Sequence, residues 1–93
     1  MHWKPYDPRW LVDLAREAAP DKPWLAAALA SCTRAAEESR AYTYFVDPSN
    51  ANKPGAEWQF EENIVLEHSV EGDLVFDILT GHRVGGVEFL GRL

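Results

Sequence analysis

The sequence predicts an α+β domain in which two N-terminal helices pack on a four-stranded antiparallel β-meander. Three observations lead to this fold class. Apolar residues recur at helical spacing up to about residue 39, the period changes to two after residue 40, and short turn motifs separate the extended runs that follow. A chain of 93 residues can build one modest hydrophobic core. We therefore expect a single domain over residues 1–93.

Two helices are predicted in the first 39 residues. Asp7 and Pro8 form a helix-start signal, because Asp can cap a helix and Pro fits its first position. This helix is predicted over residues 8–19, and Pro20 ends it. The same signal at Asp21 and Pro23 predicts a second helix over residues 22–39. Apolar residues at helical spacing continue through that segment at Trp24, Leu25, Ala28, Leu29, Cys32, Ala35 and Ala36.

Four strands are predicted in the remainder, over residues 41–46, 57–67, 73–79 and 83–90. Aromatic and β-branched residues alternate with polar ones there, with a bend near residues 61–63. Gly85 and Gly86 indicate a bulge in the last strand or a close approach by another backbone. Short successive connections favour a meander whose one face the helices cover. The predicted core contains Trp24, Leu29, Cys32, Phe76, Ile78 and Phe89.

The charge is distributed unevenly along the chain. The formal net charge is −6, and residues 37–93 contain eleven acidic but only four basic side chains. This excess argues against a nucleic-acid partner, because phosphates require Lys and Arg on the contact surface. It favours a basic protein partner, since complementary fields speed encounter. The alternative is that the carboxylates only keep a small domain soluble.

The compartment is predicted from cysteine content and hydrophobic runs. Cys32 is the only cysteine, so the chain has no internal disulfide of the kind that secreted domains use. The longest apolar stretch, near residues 24–32, is too short to span a bilayer. The first residues also lack the charged start and apolar block of a signal peptide. We expect a cytoplasmic protein that does not act at a membrane.

Motifs that would indicate catalysis are missing from the sequence. His2, His68 and His82 have no metal-ligand spacing with one another or with Cys32. No Gly-rich phosphate loop, nucleophile elbow or His-Glu-x-x-His motif occurs. We therefore expect a protein that is not an enzyme and that uses no cofactor or metal.

One carboxylate set keeps an enzymatic alternative open. Asp73, Asp77 and Glu88 can form a cluster of the kind found at some hydrolytic sites. Asp77 and Glu88 are predicted on paired strands, on the face opposite Phe76 and Phe89. The simpler interpretation is a solvated sheet face, because strand alternation alone places carboxylates there.

The acidic half of the chain also contains the candidate binding residues. The segment from Glu57 to Asp73 has six carboxylates and no Lys or Arg, and aromatic residues lie beside it. Aromatic side chains can anchor a partner while carboxylates steer it. The alternative is that Trp58 and one tyrosine belong to the core. The predicted partner-binding residues are Tyr44, Glu57, Trp58, Glu61, Glu62, Glu67, Glu71 and Asp73.

Two resemblances extend these predictions. The C-terminal hairpin, from Asp73 through the turn at Gly81 to the run Arg-Val-Gly-Gly-Val-Glu-Phe-Leu90, resembles that of a family of small uncharacterised bacterial β-rich domains. That resemblance implies the sheet and no activity. In size, acidity and fold type the whole chain resembles the small immunity proteins that accompany secreted bacterial toxins, including contact-dependent inhibition systems. This second resemblance implies a cognate toxin domain, often a nuclease, whose active site the immunity protein covers.

The sequence therefore predicts a small acidic protein that binds and neutralises a basic protein partner by steric occlusion and charge mimicry. The alternative prediction is a non-enzymatic structural or regulatory domain that self-associates through a sheet edge.

Overall fold

A computed structural model describes residues 1–93 as two helices layered on one antiparallel sheet. The helices are α1 (Arg9–Ala18) and α2 (Pro23–Ala30), and a short 3-10 helix (Leu90–Arg92) ends the chain. The six strands are β1 (Lys4–Pro5), β2 (Arg34–Ser39), β3 (Tyr42–Tyr44), β4 (Phe60–His68), β5 (Gly72–Leu79) and β6 (Arg83–Phe89). The predicted α+β class with an antiparallel sheet is confirmed.

The strand count and the order of strands differ from the prediction. The sheet has six strands in the order β1-β2-β3-β6-β5-β4, where four strands in a simple meander were predicted. Strands β4, β5 and β6 do form a meander, but β3 pairs with β6. The long connection over residues 45–59 carries the chain from β3 to the far edge of the sheet, where β4 begins.

The predicted second helix over residues 22–39 is wrong beyond residue 30. Helix α2 ends at Ala30, and β2 follows after a short turn. Ser31 Oγ donates to the carbonyl oxygen of Ala28 at 2.7 Å, and Cys32 Sγ contacts the same oxygen at 3.5 Å. Such side chains compete with the helical hydrogen bonds, and β-branched Thr33 follows them. Ala35 and Ala36 follow, and although alanine favours helices, these two residues are extended because they pair with β1 and β3.

The helices cover one face of the sheet and form the core with it. Helix α1 begins as predicted after Asp7 and Pro8, whose carbonyl oxygen accepts the Val12 N–H at 3.0 Å. The predicted core residues lie together, with Trp24 packed at the margin of the cluster. The largest fully buried side chains are Phe76, Leu11, Leu25, Leu29, Leu74, Ile78, Leu79 and Val87.

Neither helix has the length and hydrophobicity that crossing a membrane requires.

Two predicted irregularities of the sheet are confirmed. The pairing of β4 with β5 shifts between Phe60 and Glu62, which places a bulge at Glu61. The pairing of β5 with β6 shifts in the same way, so that Gly85 is the extra residue. A Cβ at position 85 would lie 2.7 Å from the Trp58 ring, so only glycine fits there without displacing this ring.

Candidate protein-binding surface

The candidate surface is the face of the sheet that the helices leave uncovered. Alternation along each strand separates it from the core, because Leu74, Phe76 and Ile78 point toward the helices and their neighbours point away. We call this surface the open face. Its residues lie in cross-strand rows and are exposed or half-buried, except for Gly86, which is buried. By register, the open face consists of Asn63, Asp77, Gly86 and Tyr44 in one row, Val65, Val75, Glu88 and Tyr42 in the next, and Glu67 with Asp73 in the third. A further row on this side, Phe60, Leu79 and Arg83, is not counted, because Trp58 packs beside Leu79 and Gly85 there.

The open face is acidic. Its four carboxylates are Glu67, Asp73, Asp77 and Glu88, and its three rows contain no Lys or Arg. Arg83 lies in the adjoining row, where it donates to the carbonyl oxygen of Glu57. Glu67 and Asp73 lie directly opposite each other on paired strands, and neither forms a salt bridge. Like charges in this arrangement destabilise a sheet. The third row therefore presents two uncompensated carboxylates side by side.

A hydrogen-bonded bridge crosses the open face. The Tyr42 hydroxyl donates to Asp77 Oδ2, and the Asn63 amide donates to Asp77 Oδ1 at 2.7 Å. Burial, together with the bond to Asp77, raises the pKa of the Tyr42 phenol. The bridge passes over Gly86, where a Cβ would lie 2.7 Å from Tyr42 Oη. Asp77 therefore ties β3, β4 and β5 together, and Tyr42 is a neutral donor.

The carboxylates proposed as an enzymatic alternative do not converge. Asp77, Glu88 and Asp73 occupy three different rows of the open face, and Asp77 is engaged by two donors. No three His, Cys, Asp or Glu side chains come close enough together to hold a metal ion. Arg83 does not pair with Asp77 across the hairpin, because Arg83 donates to the backbone carbonyl oxygens of Thr80 and Glu57.

The two aromatic candidates differ in exposure. Trp58 is only 8% exposed, and its ring packs beside Gly85 and Leu79. Tyr44 is half-buried and contacts both Trp58 and Tyr42 edge-on, with ring centroids 5.8 and 4.6 Å apart. Trp58 is thus a buried residue, in agreement with the alternative prediction that it belongs to the core. Tyr44 is the aromatic side chain that a partner can reach.

The six carboxylates of the acidic segment are divided among several places. Glu67 and Asp73 share the open face. Glu71 lies in the β4–β5 turn, where Arg92 Nε donates to it at 2.8 Å and lowers the pKa of its carboxyl group. The other three are exposed: Glu57 precedes β4 in a loop, Glu61 occupies the bulge, and Glu62 lies opposite Ile78, in phase with the core side. Sequence reasoning placed Asp77 and Glu88 on this side of the sheet but did not include them among the binding residues.

The edge formed by β4 adjoins the open face. Strand β4 has nine residues and pairs only with β5, so one side of its backbone is free. Phe60 and Val65 on this strand are 43% and 54% exposed. The opposite edge of the sheet is formed by β1, which has two residues and includes Pro5, and by residues 36–39 of β2, whose pairing a bulge at Glu38 interrupts.

The largest cavity lies at another margin of the sheet and contains no catalytic arrangement. Its volume is about 470 Å³, and side chains of both signs line it. Arg83 is bound to the carbonyl oxygens of Thr80 and Glu57, and Arg34 lies over the Trp3 ring at 5.7 Å. Burial raises the pKa of the Cys32 thiol to about 12, which keeps the only cysteine protonated and unreactive.

No protein-family model, curated protein or solved structure matches this chain.

Proposed function

We propose that this protein is a non-enzymatic binding domain that captures a basic protein partner on the open face of its sheet. One observation supports the proposal above the others. The open face has four carboxylates, no Lys or Arg, and a reachable aromatic ring at Tyr44. A surface that combines uniform charge with apolar contact area attracts an oppositely charged protein and then excludes water from the contact.

The proposed consequence of binding is neutralisation of the partner. A surface of carboxylates competes with phosphates for the same lysines and arginines, so it can occupy a basic active site by charge mimicry and block it sterically. The small size and the net charge of −6 support the role of an immunity protein for a toxin domain, with a nuclease as the expected class. Such a role is cytoplasmic.

The predicted binding residues take different parts in this proposal. Glu67 and Asp73 supply direct contacts, because both are exposed on the open face and have no cation of their own. Glu57, Glu61 and Glu62 add to the attractive field from the margins. We expect Glu71 to make no contact with the partner, because it already forms a salt bridge with Arg92. Trp58 contributes indirectly, because its ring packs against the Tyr44 ring.

A growth assay with charge-reversed variants tests the proposal. Open reading frames that neighbour this gene are expressed singly to find a toxic product, and the chain is then co-expressed with it. We expect protection by the parent protein and its loss in the variant Glu67→Lys/Asp73→Lys, because like charges then meet across the contact. The matched control is Asp13→Lys/Glu17→Lys, which makes the same charge change on the exposed side of α1.

The outcomes separate the parts of the proposal. Loss of protection in the sheet variant alone supports a contact at the open face. Equal protection by both folded variants removes the open face from the contact. A complete absence of toxic neighbours contradicts the immunity role. With a purified partner, the association rate should fall with rising salt, and the sheet variant should flatten that dependence.

A further inference from the structure

We propose that the basic partner inserts an extended segment along β4 and continues the sheet as an added strand. This inference rests on the proposed function, because it concerns how the same partner is held. Strand β4 provides a long free edge beside the open face, whereas the opposite edge is divided between the two-residue β1 and residues 36–39 of β2, which a bulge at Glu38 interrupts. Backbone pairing supplies affinity in such a contact, and alternate side chains supply specificity.

The backbone groups that point outward follow from the pairing pattern. Phe89 N–H donates to Ala41 O at 2.7 Å, so Phe89 directs its backbone toward β3. In antiparallel sheets the bonding direction alternates, so Glu88 bonds toward β5, where its partner is Val75. Val75 is therefore not hydrogen-bonded to β4, and the N–H and C=O of Val65 opposite it point away from the sheet.

The same alternation identifies the neighbouring free groups. Asn63 and Glu67 lie two residues to either side of Val65, so their N–H and C=O groups point outward as well. Nearer the start of the strand the edge is closed, because Phe60 N–H donates to Asn52 Oδ1 at 2.8 Å. The free stretch is therefore residues 63–67, and the side chains of its three outward residues all belong to the open face.

The side chains along this stretch define the partner segment. An added strand places every second side chain over the open face, next to Asn63, Val65 and Glu67. The position beside Glu67 calls for a lysine or an arginine, whose long side chain can extend across Glu67 toward Asp73 on β5. The position beside exposed Val65 calls for an apolar residue. The segment is thus an extended, basic one with apolar residues interspersed.

Charge distinguishes this partner from a second copy of the chain. The free edge and the rows beside it carry only acidic charge, and each copy has a net charge of −6. Edge charges of one sign disfavour pairing with an identical edge. The same charges attract a basic segment, which is why we assign the edge to the partner.

The experiment uses a defined peptide as the probe. A peptide of about seven residues, an ordinary strand length, has Lys, Val and Lys at its second, fourth and sixth positions and Thr at the others, so that one side of the strand places Val beside Val65 and a Lys beside Glu67. It is titrated into the isotopically labelled protein. We expect amide chemical-shift changes and slowed hydrogen exchange at residues 63–67. A second peptide has the same sequence with N-methyl groups on its pairing residues, so that its charge is kept and its strand pairing is blocked. We expect it to bind at least about tenfold more weakly, since each lost backbone bond is worth roughly that factor.

Two variants of Val65 provide an independent measurement. Val65→Pro removes one outward N–H and leaves the β4–β5 hydrogen bonds intact, as prolines on edge strands do. Val65→Thr keeps that N–H and serves as the matched control. Val65→Thr also changes the apolar contact and so measures the side-chain effect alone, and we expect the proline variant to bind the peptide about tenfold more weakly than the threonine variant.

The results distinguish this inference from the proposed function. Equal affinity for the methylated peptide, or an unchanged affinity of a folded Val65→Pro protein, overturns strand addition. If Glu67→Gln/Asp73→Asn still weakens binding in that case, the open-face proposal stands. A parent protein that shows no affinity for the unmethylated peptide overturns strand addition as well, whereas the growth assay tests the open face independently. A parent dimer that Val65→Pro converts to a monomer in sedimentation assigns the edge to a second copy and overturns the inference.

Discussion

Gly86→Ala tests the bridge that crosses the open face. The added Cβ would lie 2.7 Å from Tyr42 Oη and 2.8 Å from the carbonyl oxygen of Thr43. Both distances are shorter than a Cβ tolerates, and the second atom belongs to a backbone that is paired with β6. The substitution must therefore either move Tyr42 off Asp77 or push β3 away from β6.

The magnitude follows from the contacts that are lost. A hydrogen bond to a charged group contributes about 1.5–3 kcal/mol, and separating the strands adds to this loss. Replacing glycine in a strand gains about 0.5–1 kcal/mol of backbone entropy, which offsets part of it. The net effect is a destabilisation of about 2 kcal/mol. For a domain of this size, that corresponds to a fall of about 8–16 °C in Tm.

Thermal melts followed by far-UV circular dichroism measure this effect, and a double-mutant cycle assigns it. Tyr42→Ala removes two of the three closest contacts to the new Cβ and leaves the Thr43 oxygen. We expect Gly86→Ala to cost about 1 kcal/mol less in that background than in the parent. A Gly86→Ala protein that melts with the parent, or equal costs in both backgrounds, refutes the close approach of Tyr42 as the reason for glycine.

Three further predictions concern single groups. Cys32 has a pKa raised to about 12 from 9.0, so the folded protein holds about a thousandfold less thiolate than a free cysteine and should resist alkylation at pH 8 until it is unfolded. Arg92 lowers the pKa of Glu71, so this pair stabilises the fold above pH 4.5 and the contribution is lost as pH falls through the lowered value; Glu71→Gln should therefore flatten the acid side of a plot of Tm against pH. Asp73→Lys should raise the free energy of unfolding by about 0.5 kcal/mol, because it turns a repulsive cross-strand pair with Glu67 into an attractive one, and a urea titration measures this change.

The parts of the fold that the sequence predicts well are those with strong local patterns. Strand β5 has apolar residues at every second position, Leu74, Phe76 and Ile78, and its hairpin partner returns after a glycine turn with φ +81° at Gly81. The predicted strands over residues 57–67, 73–79 and 83–90 accordingly overlap β4, β5 and β6 closely. Helix α1 is likewise specified by its start signal and by Pro20.

The parts that the sequence does not specify depend on long-range pairing. Residues 34–39 contain Ala35 and Ala36, which continue a helical apolar face and have high helix propensity. They form β2 only because β1 and β3 pair with them on either side. The pairing of β3 with β6 spans about half the chain, and no local pattern distinguishes it from pairing with β4.

The sequence predicts only part of the candidate site, because the position of one bulge decides which carboxylates share a face of the sheet. Alternation correctly placed Asp77 and Glu88 away from the core. The bulge at Glu61 changes the phase of β4, so Glu62 lies on the core side of the sheet and Glu67 on the open side. A bend was predicted near this point, but its exact position decides which carboxylates share a face. The six carboxylates of residues 57–73 are close in sequence, but only Glu67 and Asp73 lie together on the open face.

The open face and the β4 edge combine two features that folding alone does not favour. Glu67 and Asp73 repel each other across paired strands, and the backbone of residues 63–67 has no partner on its outer side. Elsewhere the chain does compensate its groups, since Arg92 neutralises Glu71 and no buried side-chain polar atom lacks a hydrogen bond. Uncompensated charge and unpaired backbone thus occur side by side in one region. A bound basic strand satisfies both at once, which is why we assign them a single partner.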